Sequence, residues 1–144
     1  MNSKQELKIE VILVSIYCEI IMQIISVHKQ LSINKTIFFA YLLKDKHNYL
    51  KAVYNGNNTT NVVIKAISLL SGKFNEYCLH IKYIIEAMHL LIANGDILLQ
   101  KDILLYSDET KKAKPYNDMF IKRAIEESSN FSDRQFLKEV MNNV

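Results

Sequence analysis

A chain of 144 residues that is 49% hydrophobic and 23% charged has the makings of one globular domain, long enough to bury about two-thirds of the surface its unfolded form would expose. Its net charge of +3 is too small to indicate a nucleic-acid partner by itself. One proline and three glycines leave few breaks for long helices, so the chain reads as mainly α.

The first predicted helix covers about residues 7–30. Its apolar run, 11–27, is interrupted by Ser15, Glu19, Gln23 and Ser26. That run looks too short and too polar to span a bilayer, which needs about 20 apolar residues, and a mid-helix Glu costs roughly a few kcal/mol on insertion. The polar group at Tyr17-Cys18-Glu19 also spoils it as a secretory signal. Ile9, Ile12, Leu13, Ile16, Tyr17, Ile20, Ile21, Ile24 and Ile25 make one apolar stripe. Val11, Val14, Cys18 and Met22 make a second. Such a helix is either the central helix of the domain or is covered by another chain.

Ser32-Ile33-Asn34 opens a second helix, with Asn34 as the expected N-cap, Ile33 and Phe38 as a staple, and Ile37, Phe38, Tyr41 and Leu42 inward. A polar break at 44–48 and a turn-rich loop at 55–60 follow. Thr60 or Asn61 is expected to cap a third helix through Leu70, buried at Val62, Val63, Ala66, Ile67 and Leu70. Next comes a strongly apolar helix from Tyr77, with Leu79, Ile81, Tyr83, Ile84, Ala87, Met88, Leu91 and Ile92 on one face and a stop at Asn94-Gly95. Ile97-Leu98-Leu99 and Ile103-Leu104-Leu105-Tyr106, separated by Gln100-Lys101-Asp102, predict a hairpin. A helix feeding a small hairpin is the second half of a winged helix, here occupying about residues 34–106 of a single 1–144 domain.

Residues 107–115 form a charged connector. Helices return at about 117–144, with Met119, Phe120, Ala124 and Ile125 on one side. The last helix begins at Ser132, where Ser132 and Gln135 have capping-box spacing and Phe131 and Phe136 staple spacing. Phe136, Leu137, Val140, Met141 and Val144 form its stripe and are expected to dock the terminus.

No catalytic or metal constellation is evident. His80 and His89 lie on opposite sides of one helix, Glu126 and Glu127 diverge, and each glycine sits at a turn and not in a phosphate loop. The expectation is a protein that is not an enzyme and needs no cofactor. Cys18 and Cys78 fall in apolar helical patterns and read as reduced core thiols of a cytoplasmic protein. As a DNA reader the helix before the hairpin is poor, since Glu76, His80, Lys82, Glu86, His89 and Asn94 supply one lysine against two glutamates. Any nucleic-acid contact falls to Lys101, Lys111, Lys112 and Lys114, with binding that is weak and sequence-blind. The surplus stripe Val11, Val14, Cys18 and Met22, with Met141 and Val144 of the last helix, is the expected partner surface.

The apolar first helix, the segment Ile84-Ile-Glu-Ala-Met-His-Leu-Leu-Ile-Ala-Asn-Gly-Asp-Ile97 running into a hairpin, and the closing segment Ala124 to Phe136 together resemble the small middle components of three-component ABC-ATPase systems, including Lamassu-type antiphage defence complexes. The resemblance implies a winged-helix adaptor without catalytic residues. Its partners would be an SMC-like ABC ATPase and an effector, often a nuclease, with DNA met weakly or through the complex and neither a membrane nor a small-molecule substrate involved. A winged-helix DNA-binding transcriptional regulator is the alternative expectation.

Overall fold

The computed structural model describes residues 2–45, 61–107 and 116–143, so the loop read at 55–60, the lysines Lys111, Lys112 and Lys114, and the terminal Val144 lie outside the described residues. Six α-helices and a small antiparallel sheet follow one another among the described residues: α1 (Ser3–His28), β1 (Gln30–Ser32), α2 (Ile33–Lys44), α3 (Val62–Ser68), α4 (Phe74–Ala93), β2 (Ile97–Gln100), β3 (Ile103–Tyr106), α5 (Met119–Glu127) and α6 (Asp133–Asn143). The mainly helical class is therefore as expected, and the expected hairpin is present, as two strands of a three-stranded sheet.

Helix α1 starts where the Asn2 side chain accepts a hydrogen bond from the Gln5 N–H at 2.9 Å and stops at Lys29, whose φ of 70° breaks the helical path. By length and composition it is long and apolar enough to cross a membrane, contrary to the reading of its apolar run. In the fold its second half is the middle of the core: Tyr17, Ile21, Ile24 and Ile25 are fully buried against α4 and α2. Each such side chain contributes about 1.5–3 kcal/mol on leaving water.

Immediately after α1 the chain forms β1, which pairs with β3 in the register Gln30↔Leu105, Leu31↔Leu104, Ser32↔Ile103. The sheet order is β1-β3-β2, so the hairpin is a three-stranded unit tied to the start of α2. The cap of α2 is Ser32, two residues earlier than the expected Asn34: its side chain accepts from the Lys35 N–H. Ile33 accordingly lies inside the helix and not at a staple position. Lys35 to Leu43 are all buried, so α2 is the helix surrounded on every side. Phe38 and Phe39 meet Phe136 of α6 at ring separations of 5.1 and 5.7 Å, and Tyr77 of α4 closes the same cluster.

Asn61 is the N-cap residue of α3, but its φ of 59° takes its side chain out of capping reach. The expected buried set of α3, Val62, Val63, Ala66, Ile67 and Leu70, is buried. Helix α4 ends in a complete Schellman arrangement: the Gly95 N–H donates to the Ile92 C=O, the Asp96 N–H donates to the Leu91 C=O, and Gly95 takes φ 77°. That geometry aims the chain directly into β2.

Three expectations on buried faces are corrected. Leu79 is exposed on α4, Met119 is exposed at the start of α5, and Leu137 and Met141 are exposed on α6. Among the described residues of α6, Phe136 and Val140 are the buried ones, and the helix packs against α3 and α2. The cap of α6 is as read: the Gln135 N–H donates to Ser132 Oγ at 3.1 Å and the Ser132 N–H donates to Gln135 Oε1 at 2.9 Å.

Candidate docking surface

An exposed apolar surface begins on the first half of α1. Leu7, Val11 and Ile12 are 60%, 59% and 58% exposed, and Ile9 and Ile16 are exposed beside them. This follows from length: α1 extends about 39 Å at 1.5 Å per residue, and the core engages it from Val14 onward. Beside it, α4 turns Leu79, Ile85 and Leu90 to the surface. The two helices enclose a groove of about 430 Å³ lined by Leu7, Glu10, Val11, Val14, Ser15, Cys18, Glu86 and Leu90.

The charged groups lining the groove are two acids, Glu10 and Glu86. The Glu86 carboxyl is pushed above its ordinary value by desolvation and then by the hydrogen bond and charge of Glu10. Two carboxylates apposed in an apolar groove favour a partner that brings a basic side chain among its apolar ones.

The expected surface is thereby moved rather than removed. Val11 is exposed as expected, but Val14 is a core residue at 8% exposure, and Cys18 and Met22 are half-buried against the core. The Cys18 thiol donates weakly to the Ala87 C=O at 3.7 Å, and burial raises its pKa. Cys78, expected in the core, is exposed; both thiols are free. Met141 is exposed on α6, whose principal contacts are with α3 and α2, whereas those of α1 are with α4 and α2. The residues that sequence reasoning missed are Leu7, Ile9, Ile12, Ile16 and Leu90. One signal was available: Lys4, Glu6, Lys8 and Glu10 interleave with Leu7 and Ile9, so charges flank both apolar sides of the first turns.

Lys101, exposed at the hairpin tip with φ 58°, is the described member of the expected basic set. Around it the hairpin is apolar, with Leu98, Leu99 and Ile103 exposed. The outer face of α4 carries Lys82 among Glu86, Leu79 and Leu90, a poor match to phosphate.

Two polar clusters lie inside the fold. In the first, the Tyr17 hydroxyl and His80 Nδ1 share a hydrogen bond of 2.6 Å, with Tyr41 and Tyr83 packed edge-on against the imidazole. His80 and His89 do face opposite ways, His80 inward and His89 to solvent. In the second, Lys35 Nζ donates to the Ser128 and Phe131 carbonyls at 2.8 and 2.7 Å, while Ser32 Oγ donates to Asp133 Oδ1 at 2.6 Å. This cluster floors a polar pocket of about 560 Å³ between the sheet and the α5–α6 junction. His28 joins the pocket rim and hydrogen-bonds the Tyr116 hydroxyl. Among the described residues no group of three or more His, Cys, Asp or Glu could hold a metal ion.

Burial lowers the pKa of both His80 and His28 below the ordinary value of 6.5. The unfolded chain therefore binds more protons than the folded one between those lowered values and 6.5. Stability is full above pH 6.5 and falls as the solution is acidified through that window. Melting temperatures measured from pH 7.5 to 5 should fall, and a His80→Gln variant should flatten the slope; an unchanged slope in that variant removes His80 as a cause.

No protein-family model matches the chain, and neither a curated protein nor a solved structure matches it.

Proposed function

We propose that this chain is a non-catalytic accessory subunit that binds an SMC-like ABC ATPase in a cytoplasmic antiphage or anti-plasmid defence complex, the effector function, such as a nuclease, belonging to another subunit. The observation that carries this reading is the apolar surface of α1 and α4 around the Glu10–Glu86 groove, which has the character of a protein interface and not of a substrate site. The domain plan fits a winged-helix adaptor: α4 feeds the β2–β3 hairpin through a tight cap, and β1, between α1 and α2, adds a third strand to it. A cytoplasmic setting is supported by the burial of Tyr17, Ile21, Ile24 and Ile25 in the core, which a bilayer-spanning α1 would forfeit, and by two free thiols. The specific ATPase class comes from the resemblance of layout.

Co-expression with an SMC-like ABC ATPase of the proposed kind tests the reading. Replacing Val11 and Leu90 together by lysine is expected to abolish co-purification, because the two ammonium groups would stand in the groove where a partner's apolar and basic side chains belong. Since both positions are exposed, the helical signal should be unchanged and the stability within about 1 kcal/mol of the parent. Co-purification of the double variant at parental strength would sink the docking surface. The same hairpin plan also suits the DNA-binding regulator, and a nanomolar, sequence-specific complex with duplex DNA at physiological salt would establish that reading instead.

A further inference from the structure

The groove between α1 and α4 continues a seam that the fold itself uses for packing. Along α1, Leu7, Val11, Val14, Cys18, Ile21 and Ile25 recur at alternating spacings of four and three, the spacing at which one helix receives another. Ile21 and Ile25 are fully buried and Val14 nearly so, whereas Leu7 and Val11 are exposed. The seam is filled at one end and open at the other. The part that lines the groove runs from Leu7 to Cys18, about 17 Å at 1.5 Å per residue, or about three helical turns. Glu86 and Leu90, neighbours on one face of α4, form the opposite wall.

Both walls are helices, and their backbone N–H and C=O groups are used inside those helices. An extended peptide lying here would press its own backbone polar groups against leucine and valine with nothing to bond, which is costly. A helix brings its backbone already satisfied. The charges narrow the choice further. Glu10 on one wall and Glu86 on the other are within hydrogen-bonding reach of each other. Lys82 and His89 of α4 offset that acidity only in part, and Lys82 Nζ lies over the Tyr83 ring at 4.9 Å. A guanidinium between the walls can bond both carboxylates at once with its planar fork, which an ammonium, a point charge, does less well.

We propose that the α1–α4 groove receives an amphipathic helix of a partner protein, with apolar side chains seated on Leu7, Val11 and Leu90 and one arginine bridging Glu10 and Glu86. This rests on the groove being the docking surface proposed above and adds its occupant. The partner segment is about three turns of helix, apolar at i, i+3 or i+4, and i+7, with the arginine beside that stripe. An acidic helix is repelled by the same two carboxylates.

A displayed library of peptides of about 18 residues, built on an alanine and glutamine framework and randomised along one helical face, tests this against the full chain. The retained peptides should share the apolar spacing and one arginine. Replacing that arginine by glutamine in the consensus peptide should weaken binding by at least about tenfold, and so should Glu10→Gln with Glu86→Gln in the chain. Both glutamines keep the shape of the side chains they replace, so the helical signal and melting temperature should be unchanged. Should that variant fail to fold, the glutamine peptide on the unmodified chain decides alone. A library that yields no binder, or a consensus without arginine, overturns the proposal. So does a consensus that binds the glutamine variant at full strength, or a chain that fills the groove with a second copy and stops self-associating when Val11 and Leu90 are replaced by lysine. The two readings fail separately: if the glutamine variant co-purifies with the ATPase at parental strength while the lysine variant does not, the docking surface stands and the arginine bridge falls.

Discussion

Replacing Lys35 by alanine is expected to lower the unfolding free energy by on the order of 3 kcal/mol, because it orphans two carbonyls at the α5–α6 junction. Lys35 is 8% exposed, near the start of α2, and its Nζ donates to the Ser128 and Phe131 carbonyls. Burial lowers its pKa, and the charge of Asp133 partly restores it. The same Asp133 accepts from Ser32, which caps α2, and the Thr36 hydroxyl donates to the Ser32 carbonyl at 2.7 Å. The chain between α5 and α6 is thus held to the start of α2 by polar bonds that no apolar side chain can replace. Lys35→Met, which keeps the stem and loses the ammonium, separates the two contributions: its stability should lie close to that of the alanine variant if hydrogen bonding dominates. Urea unfolding measures both, and an alanine variant within about 0.5 kcal/mol of the parent would show that the carbonyls find water instead.

What could be read from the sequence was what local chemistry decides. The capping box at Ser132 and Gln135 and the stop at Asn94-Gly95 form from contacts within a few residues, and both are present. Strand β1 was not legible, because Gln30 has its partner at Leu105 and three residues carry no period of their own. Nor was the full burial of α2. Its run Ile37-Phe-Phe-Ala-Tyr-Leu-Leu43 is apolar on every side, so periodicity selects no face and only the surrounding elements reveal that all faces are covered. For α1 the pattern around the helix was read correctly as over-apolar, but the division between core and surface runs along its length and not between its two stripes. Ile9 and Ile12 share a stripe with Ile20 and Ile24 and yet are exposed, because the rest of the fold does not reach them.

That division predicts opposite outcomes one turn apart. Val14→Asp should cost about 2–4 kcal/mol, since it loses the apolar packing of Val14 on the core and adds a third acid to a groove already lined by Glu10 and Glu86. The same change with Met22→Asp added would be worse, because Met22 also packs on the core. Val11→Lys should leave the fold intact: Val11 is 59% exposed, lysine is a good helix former, and its ammonium would sit near the acidic pair of Glu10 and Glu86. Loss of partner binding in the Val14 variant would therefore say nothing about docking, whereas loss in the Val11 variant, with an unchanged melting temperature, would locate the interface. Circular dichroism and thermal melts of the two single variants decide the matter. A folded Val14→Asp protein with parental stability would mean that the core begins further along α1 than Val14 and that the second stripe is surface after all.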